Sequence, residues 1–123
     1  MNSFEDLNAW QMARKTVNAV YNLTRDSKLS RDFGLSSQLQ RAAVSIMSNI
    51  AEGFERMHLP EKIQFYNTSR ASCGEVRSLL YVVSDNYDLL EEQIISTRNL
   101  VVQTGRLLTT LIQSTTNRKR AFH

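Results

Sequence analysis

Gln38-Leu39-Gln40-Arg41-Ala42-Ala43-Val44-Ser45-Ile46-Met47-Ser48-Asn49-Ile50-Ala51-Glu52-Gly53 reads as a helix whose buried face is built from small residues. Extended slightly at both ends, it runs from about Leu35 to Arg56. On a helical wheel Leu35, Leu39, Ala42, Ala43, Ile46, Ile50 and Gly53 share one face, because apolar positions three and four apart line up at 3.6 residues per turn. Ser45 and Asn49 flank that face, with Arg41 and Glu52 slightly further round. A helix with such a face is made to lie close against other helices.

Working outward, three further segments carry the same period. The first helix is expected from about Asn8 to Arg25, with Asn8 as N-cap and Trp10, Ala13, Val17, Val20, Tyr21 and Thr24 as its stripe. The polar stretch from Asp26 to Gly34 reads as a loop. Pro60 marks the start of a third helix, where a missing N–H costs nothing. That helix extends to about Tyr87 and turns Phe65, Ser69, Ser72, Val76, Leu79, Leu80, Val83 and Tyr87 inward. A fourth runs from about Leu90 to Thr115, with Ile94, Val101, Gly105, Leu108 and Ile112 on one face. Leu100, Leu107 and Leu111 widen its apolar arc on one side, Ile95 and Val102 on the other. So wide an arc fits either self-association or a central position in the bundle. Short connections make sequence neighbours antiparallel, so the expected fold is all-α: an antiparallel up-down-up-down four-helix bundle.

Composition agrees with one soluble domain. The chain has 123 residues, 41% apolar and 22% charged, and only four Gly and one Pro leave little room for the turns of a β fold. Residues 1–117 are read as the bundle and 118–123 as a basic tail. The net charge of +3 is wholly accounted for by Arg118, Lys119 and Arg120. Residues 51–99, by contrast, carry five basic and eight acidic groups. A single cysteine excludes an internal disulfide. With no N-terminal signal peptide and no run of about 18 apolar residues, the expected location is the cytoplasm.

Chemistry finds little foothold. His58 and His123 lack partners at ligand spacing, and Glu52 and Glu55 are not joined by the paired Glu-x-x-His motifs of a di-iron bundle, so no metal and no cofactor are expected. No Gly-rich phosphate loop is present. Cys73 reads as a packed thiol and Trp10 as a packing residue, with Phe4 and Leu7 folding the N-terminal segment onto the bundle. Arg41, Ser45, Asn49, Glu52, Ser72 and Glu75 read as a structural polar network. Its candidate pairs are Arg41 with Glu75, and Asn49 with Ser72 or a backbone group. Glu52 and Glu75 lack an acid, base or metal partner, so the protein is read as not an enzyme.

Two stretches resemble a known family. Phe4-Glu5-Asp6-Leu7-Asn8-Ala9-Trp10 is similar to its "F-x-x-L-x-x-W" opening. Phe33-Gly34-Leu35-Ser36-Ser37-Gln38-Leu39-Gln40-Arg41-Ala42-Ala43, with Ser45-Ile46 and Ser48-Asn49-Ile50-Ala51-Glu52-Gly53, is similar to its central signature. The family comprises small bacterial four-helix-bundle proteins encoded in intervening sequences of large-subunit ribosomal RNA genes. It is also similar to accessory proteins of diversity-generating retroelements. One departure lies in the third helix, where Ser69-Arg70-Ala71-Ser72-Cys73-Gly74-Glu75 stands for the family's Ala-x-Gly-Ser-x-x-Glu: the first Ala is Ser, the Gly is Ala, and a glycine comes instead two positions after the shared Ser72. The resemblance implies a ring-like homo-oligomer, a pentamer, without enzymatic activity.

The resulting expectation is a homo-oligomeric scaffold that binds RNA or DNA weakly and without sequence specificity. Arg118, Lys119 and Arg120 are the leading contacts, and Arg14, Lys15, Lys28 and Arg106 secondary ones. The alternative is a protein–protein adaptor, such as a reverse-transcriptase accessory, docking through the acidic segment from Glu75 to Glu92.

Overall fold

The computed structural model describes residues 2–88 and 91–121, with side chains through Arg118. Four helices, and among the described residues no strand, make up the chain: α1 Asn8–Thr24, α2 Phe33–Glu55, α3 Leu59–Asn86 and α4 Glu91–Ala121. α1 packs on α2, α2 on α3, α3 on α4, and α4 back on α1. The register along three of these seams runs in opposite chain directions. Ser45 meets Ser72 while Gly53 meets Tyr66; Cys73 meets Gly105 while Tyr81 meets Arg98; Thr16 meets Thr104 while Ala9 lies beside Leu107 and Leu111.

The face read for α2 is buried in full: Leu35, Leu39, Ala42, Ala43, Ile46, Ile50 and Gly53. Gly53 is needed there for close approach. A Cβ at that position would stand 2.7 Å from Cε1 of the buried Tyr66 and 3.0 Å from Cβ of Phe65. Gly74, by contrast, has nothing within 4 Å, so the displaced glycine of α3 does not form the α2–α3 seam. Asp32 caps α2 by accepting the Leu35 N–H at 3.1 Å.

The start of α1 departs from expectation. Asn8 is its first residue rather than its cap, and Leu7 holds the cap position with no side-chain hydrogen bond. Burial decides this, since Leu7 sits in the core behind a 3-10 turn at Phe4–Asp6. The buried stripe of α1 is also rotated, to Ala9, Ala13, Thr16, Val20, Leu23 and Thr24. Trp10 and Val17 lie at its edge, and Tyr21 is exposed. Small residues occupy the centre because the helix approaches its neighbours closely. Trp10 is instead covered by Phe4, edge-to-face at 5.2 Å. The segment read as a loop holds a 3-10 turn, Leu29–Arg31, whose Leu29 is fully buried.

α3 begins with Pro60 in its first turn, as the sequence predicts. Its inner face takes Tyr66 rather than Phe65, and adds Cys73. α4 buries Ile94, Thr97, Val101, Thr104, Leu108 and Thr115. The three threonines return their hydroxyls to carbonyls four residues back, at 2.8 Å each, which removes the penalty for burying them. Leu107, Leu111 and Ile112 pack partly against the core, and Ile95 stays exposed. With no Gly or Pro after Gly105, α4 continues past Thr115 to Ala121, so the backbone of Arg118, Lys119 and Arg120 is helical.

Candidate nucleic-acid interface

The polar network between α2 and α3 is a short relay. The Ser45 and Ser72 hydroxyls stand 2.9 Å apart, and Asn49 Nδ2 donates to Ser45 Oγ at 3.0 Å and to the Ser45 carbonyl at 2.8 Å. Asn49 thus reaches Ser72 through Ser45. Ser69, buried beside them, donates to the Ile46 carbonyl at 2.7 Å. The expected Arg41–Glu75 pair does not form: both side chains are exposed, and no ion pair joins them. Both point away from the seam that the small residues close. Glu52 meets only Arg56, at 4.0 Å between exposed side chains. Ser45 with Ser72, and Ser69 with the Ile46 carbonyl, thus join α2 to α3 by side-chain hydrogen bonds.

Cys73 is a buried thiol. Burial, only partly opposed by Arg70 and Arg77, pushes its thiol pKa up to about 12, so no useful thiolate forms near neutral pH. Contrary to the reading that His58 lacks a partner at ligand spacing, Glu55 stands three residues before it; but α2 ends at Glu55 and His58 holds the N-cap position of α3, so the two do not share a helix. Among the described residues no group of three metal-ligating side chains exists. Nor is any of the described helices long and apolar enough to cross a membrane.

A cationic groove of about 510 Å³ lies between α3 and α4. Its floor is Cys73 and Val101, both buried. It is open because Gly74 and Gly105 raise no side chain into it. Arg70 and Arg77 line it from α3, and Arg106 from α4. One helical turn beyond, the Arg98 guanidinium lies over the Tyr81 ring at 4.7 Å. Arg98 Nε is buried with no hydrogen-bond partner. Among the described residues the sole ion pair is Arg56–Glu52, so no carboxylate lies within 4.0 Å of any of these four guanidinium groups. The sequence explains why: α4 has no Asp or Glu after Glu92, and α3 has only Glu75 between Glu61 and Asp85. Glu75 sits two positions from Arg77, on nearly the opposite side of the helix.

The cations expected from sequence are not brought together. Arg106 is in the groove. Arg14 is exposed on α1, 5.9 Å from the Trp10 ring centre, and Lys15 is exposed beside it. Lys28 lies in the α1–α2 connection, where its N–H bonds Asp26. Arg118 is exposed near the other end of α4, close enough that its charge helps lower the pKa of Lys62, after burial, the larger cause. The Lys62 ammonium in turn donates to the Phe54 carbonyl at 2.5 Å, at the C-terminal end of α2. The side chains of Lys119 and Arg120 lie outside the described residues. Arg70, Arg77 and Arg98 escape the sequence reading because residues 51–99 are net acidic. Their signal is spacing: Arg70 and Arg77 are seven apart, on one helix face with Gly74 between them.

Residues 5–110 match the model of the 23S rRNA-intervening sequence protein family. The chain belongs to that family. A comparison with proteins of curated function gives no match. Among solved structures it is similar to a protein of unknown function from the S23 ribosomal protein family of Bacteroides thetaiotaomicron. That likeness has a TM-score of 0.78 at 21% identity, over 85% of this chain and 95% of the other. At that identity it speaks for the fold. Membership in the 23S rRNA-intervening sequence family accords with the Ala42–Ala43 and Ser48–Gly53 signature, which forms the buried face and polar edge of α2.

Proposed function

We propose that this 23S rRNA-intervening sequence protein is a non-enzymatic homo-oligomeric scaffold, a pentamer, that binds RNA or DNA weakly and without sequence specificity. The observation that carries the nucleic-acid reading is the set of uncompensated guanidinium groups, Arg70, Arg77 and Arg106, in one groove. Cations without carboxylate partners attract phosphates and release their counterions, which gives affinity without base readout. Arg118, about 18 Å further along α4, adds a separate cation near Lys62. In a ring each patch recurs in every subunit, so modest affinities combine as avidity. The subunit number rests on the family resemblance, supported by exposed Tyr21, Val44, Val82 and Ile95 as apolar surface available to a neighbour.

The test is a titration of the full chain with RNA and DNA at several salt concentrations, alongside mass determination in solution. Binding that falls steeply with salt, by a particle of five chains, is the expected result. A monomer refutes the scaffold. No binding at low salt refutes the nucleic-acid reading and turns the search to a protein partner.

A further inference from the structure

We infer that the α3–α4 groove is a track for one strand of nucleic acid, with phosphates on Arg70, Arg106 and Arg77 and a base stacked at Tyr81. This rests on the nucleic-acid reading and names the site, the form of the ligand and the contacts.

The placement of the cations argues for a strand. Arg70 and Arg77 lie about 10 Å apart along α3, at 1.5 Å per residue. Gly105 faces Cys73, with a Cβ there 4.0 Å from the Cys73 Cβ, so Arg106 stands across the groove between the two. The three charges therefore alternate from wall to wall in steps of about 5 Å along the axis. That is a line of charge, not a point, and it suits a repeating anion over a single phosphate.

Width argues for one strand. Packed helices lie about 8–10 Å axis to axis, so the channel between them is narrow. A duplex would ride on its ridges. Its bases, paired and stacked, could not reach the Tyr81 ring one turn beyond the end of the groove.

Tyr81 argues for nucleic acid over an acidic peptide. It is one turn past Arg77, 57% exposed, and already carries the Arg98 guanidinium at 4.7 Å. A peptide of Asp and Glu would satisfy the arginines and leave this flat platform unused. A base has a π-face that uses it.

The experiment is fluorescence anisotropy of the full chain with a labelled 15-nucleotide oligouridylate, a 15-base-pair RNA duplex and polyglutamate. Four variants accompany it: R70Q/R77Q/R106Q, R118Q/K119Q/R120Q, Y81A and Y81F, each checked for unchanged helicity. The expected result is loss of at least about tenfold in oligouridylate affinity for the groove triple. Its salt slope should fall by about two, since three phosphate contacts at about 0.7 each are removed. Y81A should weaken binding about tenfold and Y81F should keep it, because stacking does not need the hydroxyl. Wild-type binding that survives the groove triple and falls only with the terminal triple overturns the groove assignment and leaves the general reading standing. Duplex or polyglutamate binding as tight as oligouridylate overturns the single-strand assignment. No binding of oligouridylate by wild type overturns the strand assignment, and no binding of the duplex either overturns both readings.

Discussion

Tyr87 donates its phenolic O–H to Asp32 Oδ2 at 2.7 Å, while Asp32 Oδ1 accepts the Leu35 N–H at 3.1 Å. One carboxylate thus caps α2 and ties the end of α3 to it. The Tyr87 bond first, then the Leu35 N–H, lower the Asp32 pKa; the same bond, with burial, raises that of Tyr87. A depressed carboxylate pKa adds stability that is present above its unfolded value of about 4 and is lost as pH falls through the folded value. For Tyr87 the sign reverses: its contribution holds below about pH 10 and is lost as pH rises through the raised value. Tyr87→Phe should therefore lower Tm near neutrality, and the gap to wild type should narrow at both pH extremes. Thermal melts from pH 2 to 11 decide this; a gap constant across that range would show that the bond does not set stability.

Gly53 and Gly74 should respond oppositely to the same substitution. At Gly53 a methyl meets the buried Tyr66 ring at 2.7 Å, so Gly53→Ala should destabilise by about 1–3 kcal/mol. At Gly74 the space is open within an exposed helix, so Gly74→Ala should stabilise by up to about 1 kcal/mol. Urea denaturation of both variants measures the contrast. Equal and favourable shifts would mean that the α2–α3 seam yields freely at Tyr66.

The Thr16 and Thr104 hydroxyls are 3.1 Å apart in the α1–α4 seam, and each also lies within reach of its own carbonyl, Met12 O at 3.0 Å and Leu100 O at 2.8 Å. Three contacts share two hydrogens, so one is always unfilled. Removing either hydroxyl leaves the other with its carbonyl still satisfied. Thr16→Val and Thr104→Val should each cost less than about 1 kcal/mol, well below the penalty for an orphaned buried group. A loss above about 2 kcal/mol from either single variant would contradict this.

Cys73 should resist thiol reagents. With its pKa near 12, the thiolate fraction at pH 8 is about one part in ten thousand. Reaction with an aromatic disulfide at pH 8 should be slow in the folded protein and complete in urea. Rapid modification of the native chain would reveal a breathing α3–α4 seam.

The fold is legible in the sequence where apolar spacing alone decides it. The α2 face is read but for Ser36, since every other residue buried on it is apolar or glycine. α1 and α4 are read less well because Thr16, Thr97, Thr104 and Thr115 line their seams and because, on α1, the large Trp10 and Tyr21 draw the stripe away from Ala9 and Leu23. Threonine looks polar, yet it is buried at low cost when it bonds its own helix. The helix 4 stripe was thus placed on Gly105 and Ile112 in place of the threonines. The candidate site is legible only at Arg106. Charge counted over long segments averages Arg70, Arg77 and Arg98 against acids that lie on other faces, and only three-dimensional placement separates them.

Leu7 stands where a helix usually carries a polar cap. The first turn of α1 is therefore fastened by the core and not by a local hydrogen bond to a side chain. Local and global opening become one event at this end of the chain. The Gln11 amide, which bonds the Leu7 carbonyl at 3.1 Å, should exchange its hydrogen only as slowly as the whole domain unfolds. At the start of α2 the Leu35 amide is held instead by the Asp32 carboxylate, so removing that one side chain should speed its exchange. Two helix starts in one bundle are thus fastened by different means.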